Sequence, residues 1–180
     1  ILAKVRERRD HLREEETAWV KGIKNVTLFE GEATFVNGTT LSLNLAGKGQ
    51  TITAKNIVIA TGSSPIVIDI PGLPSERILT NESLFDVTQL PKHLVIVGGG
   101  IIGCEMAFAF RKLGGEVTIV QRASRLLDRL EPEVSDLIHK RCDEVGIKVH
   151  LNAIATSFDA GSSLKLEQQG KFNSVLSVDK

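Results

Sequence analysis

An α/β fold, in which a parallel sheet is joined to antiparallel meanders, is predicted by three observations. The first is the apolar run Leu94-Val95-Ile96-Val97 followed by Gly98-Gly99-Gly100-Ile101-Ile102-Gly103, a buried strand entering a glycine turn that opens a helix. The second is the pattern downstream of that turn. Ala107, Phe108, Ala109, Phe110 and Leu113 supply the helix, Gly114 and Gly115 end it, and Val117-Thr118-Ile119-Val120 reads as a second buried parallel strand. The third is the stretch 26–53, which breaks into short β-prone runs separated by turn residues.

The glycine turn has a chemical consequence. In the pattern Gly98-x-Gly100-x-x-Gly103, the first glycine allows the tight turn, the second lets backbone approach a pyrophosphate, and the third lets the helix pack closely on the strand. Amides at the helix start then face the phosphates at the positive end of the helix dipole. A glycine-rich loop can also be a plain turn, but here it sits inside a strand-turn-helix-strand unit of about thirty residues, the length of a right-handed crossover. The sequence therefore predicts a Rossmann-like dinucleotide site.

The remaining elements are read in chain order. Residues 1–21 are rich in Arg and Glu, with Val5, Leu12 and Trp19 seven apart on one face, and predict an amphipathic helix. Short strands are expected at 26–29, 33–36, 41–45 and 50–53, with a hairpin at Asn37-Gly38, where both residues tolerate positive φ. A buried strand is expected at 57–60, ending in Thr61-Gly62. Pro65, Pro71, Gly72 and Pro74 then disfavour regular structure and read as a linker. A helical turn is expected at 82–87 and a helix at 133–145, with Pro132 placed at its first turn. Strands are expected at 147–150, 153–158, 164–168 and 175–178. Two domains are implied, residues 1–64 and residues 65–180.

Composition narrows the function classes. Hydrophobic residues make up 42% of the 180 residues, enough for real cores, and Lys plus Arg equals Asp plus Glu at 22 each. No net field recommends nucleic acid or an anionic membrane as partner. No apolar run approaches the roughly 20 residues needed to span a bilayer. Cys104 and Cys142 are too few for a disulfide scaffold and fit a reducing compartment, so a cytoplasmic location is expected. Both read as small buried residues. His11, His93, His139 and His150 lack metal spacing and an accompanying nucleophile, so neither a metal site nor a catalytic residue is assigned.

Three motifs together resemble the FAD-dependent pyridine nucleotide-disulfide oxidoreductases, the group that includes dihydrolipoyl dehydrogenases and mercuric reductases. Thr53, six residues, then Ala60-Thr61-Gly62 with Pro65 is similar to the segment closing that family's FAD domain. Ile70-Pro71-Gly72 resembles the crossing into its NAD(P) domain, and Gly98 to Glu105 is similar to its second nucleotide fingerprint, glycine for glycine. The family's first glycine fingerprint, its Cys-x4-Cys redox disulfide, its later flavin segment and its dimerisation domain do not occur in these 180 residues. The resemblance therefore implies a central fragment. Residues 1–64 would be the rear part of the FAD-binding domain, and 65–180 the NAD(P)-binding domain without its last strand.

The resemblance also implies roles. Thr61 and Gly62 would face FAD; Gly98, Gly99, Gly100, Ile101, Ile102 and Gly103 would hold the pyridine nucleotide, with Glu105 near the nicotinamide. An acid at the end of the second strand would bind the ribose of NAD and repel the 2′-phosphate of NADP. This chain has Gln121 and then Arg122, which removes the repulsion and offers a cation, so NADPH is favoured over NADH. The parent protein is expected to be a homodimeric oxidoreductase passing hydride from NAD(P)H to FAD and then to a disulfide. Dihydrolipoyl dehydrogenase-like and mercuric reductase-like parents both remain open. The fragment alone is expected to bind nucleotide without turnover.

Overall fold

The computed structural model describes residues 1–159, 163–168 and 171–177. The chain divides into two compact units, Lys4–Ser64 and Pro65–Lys180 with Ile1–Ala3.

The smaller unit holds most of helix α1 (Leu2–Gly22) and the strands β1 (Glu32–Asn37), β2 (Thr40–Leu45) and β3 (Lys48–Thr53). Arg, Glu, Leu and Ala lose little side-chain freedom in a helix, and no Gly or Pro interrupts α1 before Gly22. The apolar stripe expected on α1 is present but uncovered. Val5, Leu12 and Trp19 are all exposed, and no residue of the helix is buried.

The three strands form an antiparallel meander in chain order. The first hairpin lies where the sequence places it, but its geometry differs. Asn37 pairs with Thr40 at the strand end and its Oδ1 accepts a hydrogen bond from the Thr39 amide at 3.0 Å, so the loop is Gly38-Thr39. Neither Asn37 nor Gly38 has a positive φ. The left-handed turn lies in the second hairpin instead, at Ala46 (φ 50°) and Gly47 (φ 84°). Asn44 Oδ1 braces it by accepting from the Gly47 amide at 3.1 Å. Two consecutive left-handed residues match the twist of the flanking strands.

Two expected strands do not form. Residues 26–29 and 57–60 are irregular, with Val58 88% and Ile59 70% exposed. Their β-prone composition satisfies only the side-chain half of the requirement. A strand also needs a neighbour for its N–H and C=O groups, and among the described residues neither segment is paired.

The larger unit is built on a parallel sheet of β4 (His93–Val97), β5 (Glu116–Val120) and β6 (Lys148–His150), in that order. Helix α2 (Ile101–Lys112) connects β4 to β5, and α3 (Pro132–Val145) connects β5 to β6. An antiparallel meander of β7 (Ala153–Asp159), β8 (Ser163–Gln168) and β9 (Lys171–Ser177) comes next. Val178, the last residue of the strand expected at 175–178, lies outside the described residues. The expected helical turn at 82–87 is a 3-10 turn at Leu84–Asp86.

Strand β5 is the spine of this unit. Val117, Thr118, Ile119 and Val120 are each 2% exposed or less, as a parallel strand covered on both faces requires. Alternation sorts them. Val117 and Ile119 join Cys104, Ala107 and Phe110 of α2 and Cys142 of α3, whereas Val120 packs with Ile70, Ala153, Phe158, Leu164 and Leu166. Helices therefore cover one face of the sheet and the meander the other.

Local signals end the helices. Gly114 (φ 102°) lies just past α2, and Gly146 (φ 75°) closes α3 in the left-handed conformation that glycine adopts without steric cost. Arg111 joins these two turns, donating from Nε to the Val145 carbonyl at 2.7 Å and from Nη1 to the Gly115 carbonyl at 3.3 Å. The proline-rich linker is irregular but docked. The Phe158 amide donates to the Pro71 carbonyl at 2.8 Å, and the Arg77 guanidinium lies 4.8 Å from the centre of the Phe158 ring.

Ala46 holds a conformation that costs an L-residue about 1 kcal/mol. Ala46→Gly is expected to raise stability by about that amount in urea unfolding, less any gain of freedom in the unfolded chain. A variant less stable than the wild type would contradict the turn geometry.

Candidate functional site

Strands β4 and β5 pair in register, Val97 opposite Val120, so their carboxyl ends bring the glycine turn beside Gln121. The turn begins at Gly98, whose φ of 117° lies where L-residues rarely go and whose amide donates to the Val120 carbonyl at 2.9 Å. Gly103 answers a different demand. A Cβ there would collide with the Gly98 carbonyl oxygen, and Ile96 Cγ2 would lie 3.4 Å away. Only a bare α-carbon lets the first turn of α2 sit on the end of β4.

Gly99 is held on both sides. Its amide donates to Gln121 Oε1 at 3.1 Å, and its carbonyl accepts from the Leu127 amide at 2.8 Å. A Cβ at this position would press into Leu126 and Gln121. Gly100 is the opposite case. It caps α2 with φ −78°, and a Cβ there would meet nothing within 4 Å. The first intrahelical bond runs from the Cys104 amide to the Gly100 carbonyl at 3.0 Å. The amides of Ile101, Ile102 and Gly103 precede it and have no helix carbonyl to donate to. The positive end of α2 therefore opens at Gly100.

The flanking residues divide by role. Ile101 and Ile102 are 61% and 56% exposed, and Glu105 is exposed in the next half-turn. Gln121 is buried, and its Nε2 donates to the Arg125 carbonyl at 3.2 Å, so both ends of its amide are engaged. Arg122 is exposed. Arg125 turns back on its own loop, donating to the carbonyls of Asp128 at 2.8 Å and Leu130 at 3.2 Å. The fold thus gathers Gly98 to Glu105, Gln121 and Arg122 at one end of one sheet. Thr61 and Gly62 belong to the smaller unit, in an irregular segment, with Gly62 at φ 69°. Leu127, at φ 49°, grips the turn without any signal in the sequence, because its contribution is a backbone amide.

A cavity of about 350 Å³ adjoins the turn, lined by Ile66, Ile68, Leu94, Ile96, Gly98 and Ile102 among others. Its walls are largely aliphatic. Burial pushes the Cys104 thiol up, and burial, then Cys104 and Asp143, push Cys142 up to about 11. Among the described residues, no group of three or more His, Cys, Asp or Glu side chains could hold a metal ion, and no helix is long and apolar enough to cross a membrane.

Parallel strands, a glycine turn under a helix N-terminus and an adjoining antiparallel meander define an α/β unit. The family profile for pyridine nucleotide-disulphide oxidoreductase matches residues 2–180. A mercuric reductase of Bacillus cereus is 39% identical over 138 residues, 77% of this chain and 21% of the relative. A dihydrolipoyl dehydrogenase of Geobacillus stearothermophilus is 33% identical over 181 residues, 97% of this chain and 38% of the relative. The solved structure of the HOCl-induced flavoprotein disulfide reductase RclA from Escherichia coli superposes with a TM-score of 0.82 at 28% identity, covering 99% of this chain and 40% of that one. The chain belongs to the pyridine nucleotide-disulphide oxidoreductase family, and it spans about a fifth to two fifths of the length of these relatives.

Gly103→Ala is expected to destabilise the larger unit by about 2 kcal/mol, the cost of overpacking against backbone that cannot yield. An unchanged urea midpoint would contradict the close approach. Both thiols are expected to resist alkylation in the native protein at pH 8. Cys142 has a folded pKa above its unfolded value, so the native state holds the extra proton, and stability is expected to fall as pH rises from about 9 to 11. Rapid labelling at pH 8 would count against buried thiols.

Proposed function

We propose that this chain is the pyridine-nucleotide-binding part of an FAD-dependent disulfide oxidoreductase, with Lys4–Ser64 as the rear part of the FAD-binding domain and Pro65–Lys180 as the NAD(P)-binding domain. The observation that carries the reading is Gly100. Its α-carbon faces open space at the positive end of α2, while Gly98, Gly99 and Gly103 are each explained by the turn itself. A position that needs no glycine for the fold but has one suits the close approach of a pyrophosphate.

The residues around it fit the two halves of the coenzyme. Amides of Gly100, Ile101 and Ile102 would hold the pyrophosphate. The adenosine half would lie toward the end of β5, where Arg122 supplies a cation for a 2′-phosphate. The nicotinamide half would lie toward Glu105 and the aliphatic cavity beside Ile102. FAD is assigned through family membership; within this chain Thr61 and Gly62, exposed in an irregular segment, would reach it. When bound, the two coenzymes supply hydride chemistry that ends at a redox disulfide.

Cys104 and Cys142 are buried thiols and do not serve as that disulfide. The isolated chain therefore binds nucleotide without turnover, and the complete protein, a homodimer of the reducing cytoplasm, performs the reaction. Its final acceptor is of the dihydrolipoyl dehydrogenase or mercuric reductase kind. The Gln121-Arg122 pair favours NADPH, as in the mercuric reductase-like reading.

Fluorescence titration tests the assignment. NADPH is expected to bind about tenfold or more tightly than NADH, from a charge-assisted contact of roughly 1.5–3 kcal/mol at Arg122. Arg122→Ala is expected to erase most of that difference. Gly100→Val is expected to weaken both coenzymes at least about tenfold with little loss of stability, because its side chain occupies ligand space only. Wild-type protein that binds neither coenzyme would overturn the proposal.

A further inference from the structure

We propose that Gln121 is a positioning residue whose amide ties Gly99 to Arg125, so that the glycine turn and the loop bearing Arg122 move as one piece. The inference rests on the nucleotide-binding reading of the same site and deepens it. In that reading, the residue ending β5 would be expected to address the adenosine ribose. The structure uses its side chain differently.

The geometry is closed on every side. Gln121 Oε1 accepts from the Gly99 amide at 3.1 Å, and Nε2 donates to the Arg125 carbonyl at 3.2 Å. The Leu127 amide donates to the Gly99 carbonyl at 2.8 Å, so the 121–127 segment clamps Gly99 from both directions. The Gln121 side chain also fills the space against Gly99, lying 3.2 Å and 3.3 Å through Cβ and Cγ from where a Cβ on Gly99 would stand. Only 8% of Gln121 is exposed.

The two ends ask different things of the side chain, an acceptor at Gly99 and a donor at Arg125. A carboxylate could accept from Gly99 but could not donate to Arg125, and an aliphatic side chain could do neither. With both polar atoms engaged internally, Gln121 is not a ribose ligand, and discrimination between coenzymes falls to the exposed Arg122. Gly99 likewise spends its amide on Gln121, which leaves the phosphate-facing role to Gly100, Ile101 and Ile102. A nucleotide held at one end of the site then steadies the other through the strap.

Amide hydrogen exchange and coenzyme titration in the intact protein test this together, using Gln121→Leu, Gln121→Glu and Arg122→Ala. Gln121→Leu keeps the bulk and removes the acceptor, so Gly99 exchange is expected to accelerate about tenfold while Ile119 stays within about twofold. Gln121→Glu retains the acceptor and is expected to keep Gly99 within about threefold of wild type, a rescue that generic loosening would not produce. Gln121→Leu is expected to weaken NADPH and NADH equally, and Arg122→Ala to change their ratio at least about fivefold without altering Gly99 exchange. Unchanged Gly99 exchange in Gln121→Leu, or loss of protection in Gln121→Glu, would overturn the strap. So would a tenfold change of the coenzyme ratio in Gln121→Leu. A wild-type protein binding neither coenzyme would sink the functional reading instead, and the exchange comparison would still decide the strap.

Discussion

The larger unit depends on one close approach, the packing of Gly103 in the first turn of α2 against the carbonyl of Gly98 at the end of β4. No side chain fits between them. That contact sets the height and direction of α2 over the sheet, and with it the place to which the helix presents its unbonded amides. The neighbouring geometry is then constrained. Gly98 must turn at positive φ to leave the strand, and its amide finds the Val120 carbonyl on the neighbouring strand.

The buried strand β5 carries this constraint outward. Its apolar residues divide between two cores, one shared with α2 and α3 and the other with the β7–β9 meander and Ile70. Such a strand resists displacement, because moving it would disturb packing on both faces. The backbone just past it stays tied in, with the Gln121 amide donating to the His150 carbonyl and the Ala153 amide donating to the Gln121 carbonyl. The glycine turn therefore rests on a rigid support at the carboxyl ends of the parallel strands. Crevices there are where open α/β sheets bind ligands.

Much of this was legible in the residues, for reasons that differ from element to element. The parallel sheet and its helices showed because burial on both faces writes an unbroken apolar run such as Val117 to Val120, and because Pro132 and Gly146 punctuate α3. The glycines showed through their spacing. Residues 57–60 misled because composition records what a strand needs of its side chains and not whether a partner strand is present. The Asn37-Gly38 pair marked a real hairpin, but Asn37 folded its side chain onto Thr39, and the left-handed turn fell to Ala46-Gly47. The place of Gln121 at the end of β5 was legible and its hydrogen bonds were not, since its partners are the backbones of Gly99 and Arg125, and the amide of Leu127 leaves no trace in residue type. Membership of the disulfide oxidoreductase family agrees with the fold class expected from the glycine motif and its flanking strands.

The central claim is that backbone amides at the start of α2 receive the coenzyme's phosphates. Amide chemical shifts recorded while NADPH is added to saturation test it most directly. The largest changes are expected at Gly100, Ile101 and Ile102; saturation with those three signals unmoved would contradict it.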